Sequence, residues 1–331
     1  EAPHGPITAA LPTLSGVEPV VAQAPVAPDA GAALDSVAAI ASGALPGVAD
    51  DRASVERTRA FVKVQDGCSF YCTYCIIPRA RGHERSLPPE VVLADVRRAL
   101  AGGHREIVLT GINIGTYDGG WSERGFRGAH TSAALTLAGL VRRILDETGV
   151  ERLRLSSIEP QHVDDDLLGA WVDGAPRTLP HFHLPLQSGD DGVLRRMGRR
   201  YLSDDYARVV ERVRSAIPGA AVHADVIAGF PSEDDAAFAR SIAFIRSLEL
   251  AGLHVFRYSA RPGTPATRMT GQVDERTRKR RAAELLAHAA ERRGAFPPAG
   301  PGGRTRVLAE PRLPHRCWGG PREGQRPLPG P

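Results

Sequence analysis

The chain has 331 residues, a length that suits about two domains or a single α/β barrel. Hydrophobic residues make up 42% and charged residues 24%, which provides for an ordinary core and excludes global disorder. The formal charge of +4, almost all of it from arginine, permits nucleic acid as a partner without requiring it, and no run of about 18 apolar residues exists to span a membrane as a helix.

Residues 1–58 contain no Phe, Trp or Tyr and are rich in Ala, Pro, Val and Gly. Without large apolar side chains they can hardly close a core, so they read as a disordered arm with a short helix near Ala32–Ala41. The first basic residue is Arg52, so no secretory n-region is expected. Strand candidates then follow at Ala60–Gln65, Glu106–Gly111, Arg152–Ser157, His181–Leu186, Ala221–Gly229 and Gly252–Ser259. Helix candidates are Pro89–Ala101, Ala134–Thr148, Asp164–Asp173, Ser203–Ile217, Ser232–Glu249 and Glu275–Gly294. Two of these helices show an apolar stripe at helical spacing: Leu137, Leu140, Val141, Ile144 and Leu145, and Phe238, Ile242, Ile245 and Leu248. Pro88–Pro89 mark one helix start, and Ser232 with Asp235 resembles a capping box. Residues 297–331 hold nine prolines and seven glycines, which break both helix and sheet and make a tail.

Six strand–helix pairs in alternation argue for an α/β fold with a parallel sheet and right-handed crossovers. Six units are too few for the eight-fold barrel and suit a partial barrel or a doubly wound sheet. Both place ligands at the C-terminal ends of the strands.

Three of the four cysteines lie there, in Cys68-Ser69-Phe70-Tyr71-Cys72-Thr73-Tyr74-Cys75, and the fourth is Cys317 in the tail. Three close cysteines without a secretion signal read as metal binding or catalysis. Three thiolates can hold three irons of a [4Fe–4S] cube and leave the fourth iron open, whereas four give electron transfer. The alternative is a zinc knuckle completed by a residue such as His83, although zinc sites usually pair two C-x₂-C motifs.

The string from Lys63 to Gly82, with an aromatic at Tyr74 just before the last cysteine, resembles the radical S-adenosylmethionine superfamily, and within it the methylthiotransferases. The resemblance covers roughly Arg59 to Arg268. It implies a partial (β/α)6 barrel, a [4Fe–4S] cluster on Cys68, Cys72 and Cys75, and S-adenosylmethionine chelated by the open iron. One electron then cleaves the sulfonium to a 5′-deoxyadenosyl radical. It further implies that Tyr74, Gly111 and Asn113 of Thr110-Gly111-Ile112-Asn113, Ser157 and Glu159 of Ser156-Ser157-Ile158-Glu159-Pro160, and Gln187 and Ser188 contact the cofactor. Asp225 either does so or braces the barrel. Arg79, Arg81 and Arg85, directly after the cysteine loop, are candidates for substrate phosphate. The basic run Glu275–Gly294 reads as a solvated helix face before it reads as a tRNA contact.

The string Ser156–Pro160 resembles the branch that modifies N6-threonylcarbamoyladenosine beside the anticodon of tRNA. The resemblance therefore implies radical methylthiolation at C2 of that base, a tRNA anticodon stem-loop as partner, a flavodoxin or ferredoxin as electron donor, and a cytoplasmic monomer. Family members also carry an N-terminal domain with three further cysteines and a C-terminal tRNA-binding β-barrel. Here residues 1–58 hold no cysteine, and only Gly303–Glu310 resembles a first barrel strand. The domain reading is thus an arm at 1–58, a radical core at 59–296 and a tail at 297–331. The rivals are methylthiolation of isopentenyladenosine, a radical enzyme that cleaves S-adenosylmethionine without inserting sulfur, and a decayed protein that binds metal or RNA.

Overall fold

The computed structural model describes residues 59–119 and 135–295. The N-terminal arm, the start of the expected Ala134–Thr148 helix, Cys317 and the C-terminal tail lie outside the described residues.

Six principal strands run in chain order: β1 (Arg59–Lys63), β2 (Glu106–Thr110), β3 (Arg152–Leu155), β4 (His181–His183), β5 (Ala221–Ala228) and β6 (Gly252–Arg257). The helices are α1 (Ile77–Arg81), α2 (Pro89–Ala101), α3 (Leu137–Glu147), α4 (Asp165–Asp173), α5 (Asp191–Met197), α6 (Ser203–Ala216), α7 (Asp235–Ser247) and α8 (Glu275–Ala295). Every pairing among the six strands is parallel, in the orders β1-β2-β3 and β4-β5-β6. Parallel bridges between Leu153 and Thr178 and between Ser157 and His183 link the two trios, reinforced by the Ile158 N–H on the His183 carbonyl at 2.9 Å. The wall is therefore one succession of strands, with β1 and β6 as its edges among the described residues. The expected partial (β/α)6 barrel is what forms.

Alternation within the strands explains why it forms. Along β5, Val222, Ala224, Val226 and Ala228 are buried, while Ala221, His223, Asp225 and Ile227 are half-buried. The first set packs under the helices, since one strand face must cover apolar surface. The helix stripes meet it: Leu140, Val141 and Ile144 of α3 and Ile245 of α7 join the core with Phe182, Leu153 and Trp171. Trp171 closes its own polar end by donating its indole N–H to the Leu179 carbonyl at 2.7 Å.

Several boundaries differ from the sequence reading. β4 covers three residues rather than six, because Pro185 has no N–H for the ladder and Gln187 sits at φ +70. α7 is capped by Asp234, whose carboxylate accepts the Ala237 N–H at 2.7 Å. The Ser232–Asp235 capping box is therefore corrected: Ser232 turns away at φ +65 and donates its hydroxyl to Thr270. The short helices α1 and α5 escape a reading based on long periodic stretches.

Candidate metal centre at the mouth of the barrel

The cysteine loop leaves β1 through a two-residue ladder, Gln65–Asp66 against Arg85–Ser86. Gly67 follows at φ +74, where a Cβ would overlap the His83 carbonyl, so only glycine makes this turn. The loop is then fastened on two sides. Thr73 donates its N–H to Met197 and its hydroxyl to Arg196, at 2.9 and 2.8 Å, both at the end of α5. Its carbonyl accepts from Ala266. Phe70 stacks on His162 with ring centroids 5.7 Å apart, and the Arg200 guanidinium lies 4.2 Å over the Phe70 ring.

Each thiol has a donor nearby. The Phe70 N–H reaches Cys68 Sγ at 3.4 Å, Arg199 Nη1 reaches Cys72 Sγ at 3.4 Å, and the Ile77 N–H faces Cys75. None of the three is in a disulfide. Burial pushes the Cys68 thiol up to about 11 and raises Cys75, and the neighbouring cysteines add to both. Left as free thiols, Cys68 and Cys75 stay protonated at neutral pH, and a bound cation favours their thiolates.

Ligand number decides which metal group these thiols fit: a structural zinc takes four protein donors, whereas three thiolates suit three irons of a cube whose fourth iron stays open.

Behind the loop, Gln65 is fully buried and ties two strand ends together. Its Oε1 accepts the Ile112 and Asn113 N–H groups at 3.1 and 2.8 Å, and its Nε2 donates to the Gly67 carbonyl at 2.9 Å. Gly111 permits this approach, since a Cβ there would lie 2.6 Å from the Gln65 carbonyl oxygen. In this fold the glycine serves backbone packing. Asn113 is buried with Nδ2 4.0 Å from Cys68 Sγ, and its Oδ1 has no hydrogen-bond partner among the described residues. A buried acceptor left open beside a cluster ligand fits a group that brings an N–H, such as an amino acid's amine.

Glu159 pairs with Arg199, whose side chain is 3% exposed. Arg199 also donates to Tyr201 at 2.8 Å and lies 3.4 Å from the Tyr74 hydroxyl. Burial raises the Glu159 carboxyl and the guanidinium opposes that shift. Glu159 and Tyr74 thus meet Cys72 through one buried arginine. Gln187 holds β5 through its backbone, with its N–H on Asp225 at 2.7 Å. Ser188 is fully buried, and its hydroxyl accepts the Asp190 N–H and donates to Ser241. Asp225 accepts from His183 Nε2 at 2.7 Å and His254 Nδ1 at 3.1 Å, the bracing alternative of the sequence reading. Arg81 and Arg85 lie 3.8 and 3.9 Å from Asp66, which Lys63 also meets at 2.6 Å. Arg79 packs against Gly263. Gln65, Arg199 and Tyr201 are functional candidates that the sequence reading passed over. Gln65 stood inside the quoted loop string, whereas Arg199 carried no local signal.

The inner face of the wall is polar. The strand registers put Glu106, Arg152 and Arg154 on it, and His181, His183, His223, Asp225 and His254 beside them. Glu106 is buried between the two arginines, at 3.0 and 2.9 Å. Burial lowers His181 to about 3 and His223 to about 4, so both are neutral at pH 7.

The comparisons agree with this geometry. The model of the Radical SAM superfamily matches residues 62–245. A tRNA-2-methylthio-N(6)-dimethylallyladenosine synthase of Sphingopyxis alaskensis is 38% identical over 88% of this chain and 61% of its own length. Threonylcarbamoyladenosine tRNA methylthiotransferases of Thermotoga maritima and Bacillus subtilis are each 41% identical, over 68% and 72% of this chain and 49% and 50% of theirs. The chain thus spans roughly half the length of these relatives, about three-fifths of the first. Among solved structures, a radical S-adenosylmethionine methyltransferase of Kitasatospora setae superposes with a TM-score of 0.53 at 16% identity, over 67% of this chain and 40% of that one. That likeness shows the fold. With the family model covering more than half of its residues, the chain belongs to the radical S-adenosylmethionine superfamily, whose cofactors are a [4Fe–4S] cluster and S-adenosylmethionine.

Proposed function

We propose that the chain is the radical core of a tRNA methylthiotransferase, acting at C2 of N6-threonylcarbamoyladenosine beside the anticodon. The observation that carries the reading is the loop itself. Three free thiols stand at the C-terminal mouth of a parallel partial barrel, each with a donor at its sulfur, next to the open acceptor of Asn113. Cys68, Cys72 and Cys75 would hold the cluster. When bound, the cluster supplies the electron that cleaves S-adenosylmethionine and so starts hydrogen abstraction from the base.

The chain's own residues do the rest. Gln65 and Gly111 fix the Asn113 turn against the loop, so Asn113 Oδ1 is aimed before any ligand arrives. Arg199 keeps Cys72 and Tyr74 in register with Glu159. Tyr74, Gly111, Asn113, Ser157, Glu159, Gln187, Ser188 and Asp225 make up the proposed cofactor cradle, some by contact and some by holding the wall. Arg79, Arg81 and Arg85 would meet RNA phosphates by replacing their counterions. Residues 59–296 form the core, flanked by the arm and the tail. The partners are a tRNA anticodon stem-loop and a flavodoxin or ferredoxin, and the protein acts as a cytoplasmic monomer.

A second reading has its own support: the Sphingopyxis relative is named for dimethylallyladenosine. The string Ser156–Pro160 favours the threonylcarbamoyl branch, and so do the Thermotoga and Bacillus relatives, which are named for it.

The test is nucleoside mass spectrometry. A full-length relative that carries this core is expressed in cells lacking one or the other modification. Methylthio is expected on threonylcarbamoyladenosine. Its appearance only on isopentenyladenosine overturns the branch, and its absence from both overturns the methylthiotransferase reading.

A further inference from the structure

The inner wall carries a second group of ligating side chains, separate from the cysteine loop. His183 stands at the end of β4, Asp225 in β5 and His254 in β6, and the register pairs Asp225 directly with His254. Their donor atoms all come within 4.8 Å of one another. Asp225 Oδ1 alone takes both imidazoles, at 2.7 and 3.1 Å. The His183 and His254 rings meet edge to face at 4.8 Å. Two more imidazoles flank the trio. His223 lies 6.3 Å from His254 and 4.8 Å from His181, centroid to centroid. The Nδ1 atoms of His181 and His223 are buried without a hydrogen-bond partner among the described residues.

We propose that His183, Asp225 and His254 bind a divalent transition-metal ion, with zinc as the best fit, tying β4, β5 and β6 together inside the barrel. Two imidazoles and one carboxylate are a recurrent donor set for zinc and for non-haem iron. Donor separations near 3 Å are those expected around one ion with ligand distances of about 2.0–2.2 Å. The widest separation, 4.8 Å, must close to about 3.4 Å around a tetrahedral ion with the same bond lengths. His254 can supply that shift, because its side chain is 52% exposed on the edge strand.

Local charge favours a cation over an anion. Asp225 would repel an anion, and Arg154, the guanidinium that acts on His181 and His223, is held by Glu106. The open nitrogen of His223 offers a fourth ligand or an outer hydrogen bond of the kind that orients metal-bound imidazoles. Zinc has no redox chemistry, so it can stand inside a radical enzyme as a fastener. It would hold the edge strand β6 to its neighbours at the level of Asp225, beside the Gln187 bridge to β5.

Zinc itself is the probe. The full chain is reconstituted with iron and sulfide, incubated with zinc, dialysed and analysed for metal content and zinc X-ray absorption. One zinc per chain with a nitrogen and oxygen shell is expected. It should be lost in Asp225→Asn and bound about tenfold more weakly, or worse, in His254→Gln, while a chain with Cys68, Cys72 and Cys75 all changed to Ser keeps it. His254 is half-exposed, so its variant reports on binding even if Asp225→Asn misfolds. No retained zinc, or unchanged zinc content in His254→Gln, would overturn the site and leave the cluster assignment untouched, whereas sulfur in the shell would overturn the site by placing the zinc on the cysteines.

Discussion

The two faces of the same strands contrast sharply. Outward, Val222, Ala224, Val226 and Phe182 are buried under helices and make a dry core. Inward, one residue along, stand His223, Asp225, His183, Arg154 and Glu106, with the Nδ1 atoms of His223 and its neighbour His181 unpartnered among the described residues. A fully packed barrel fills its interior with branched apolar side chains. This one does not, and the edges show why: Phe61 on β1 is 63% exposed and Phe256 on β6 is 53% exposed. The wall is open on one side, so the inward face is not asked to exclude water by packing. Stability is carried by one face and chemistry by the other, and mutations should sort accordingly.

The largest expected effect is on the chemical side. Cys72→Ala removes one of three cluster ligands, so anaerobic reconstitution should no longer yield the iron content of the parent, and 5′-deoxyadenosine formation should fall to background. Circular dichroism should show the same fold. Iron binding that survives unchanged breaks the assignment of this face.

The outward face should give the mirror result. Phe182→Ala empties a fully buried ring site and should cost about 3–5 kcal/mol of unfolding free energy. Denaturant titration reads this, and iron content of the folded fraction should not change. A loss below about 1 kcal/mol would mean that the site collapses or is not core.

A third effect is electrochemical. Arg199 donates to the Cys72 sulfur and pairs with Glu159. Changing both to Gln leaves no buried charge unpaired but removes a charged donor from a cluster ligand. The cluster potential should drop by about 60 mV, the one-electron equivalent of a tenfold change in the reduction equilibrium. Spectroscopic redox titration measures it, and an unchanged or raised potential would show that Arg199 only braces the loop.

The smallest effect is pH dependence. His181 and His223 have folded values near 3 and 4, below their ordinary 6.5. The unfolded chain binds their protons first as pH falls, so stability is full above about 6.5 and declines from there toward the folded values. Each group contributes up to about 1 kcal/mol per pH unit in that window. His223→Gln should flatten the slope between pH 6.5 and 4.5, as read by thermal unfolding in a pH series. An equal slope in the variant would place the pH sensitivity elsewhere.

Much of this was legible in the sequence, and the reasons are physical. The strand–helix alternation and the apolar stripe of α3 announce the outward face, because packing imposes a period on the chain. The cysteine loop is legible because its chemistry needs fixed spacing. The inner face is harder to read. His181, His183, His223 and His254 are scattered over more than 70 residues, and only the register of three parallel strands brings them together. Arg199 was invisible for the same reason: it follows α5 and reaches Cys72 across 127 positions. Ser188 shapes the start of α5 next to the Asp190 cap, a role that only the fold makes visible.

The central claim is that the three-thiol loop holds a cube with one iron free for S-adenosylmethionine. The most direct measurement is Mössbauer spectroscopy of the chain reconstituted with ⁵⁷Fe, with and without S-adenosylmethionine. The account predicts about four irons per chain, of which one changes its isomer shift when the cofactor is added, since three cysteines leave one corner open. Four irons that stay equivalent with the cofactor present, or a site that takes up zinc in place of iron, would contradict it.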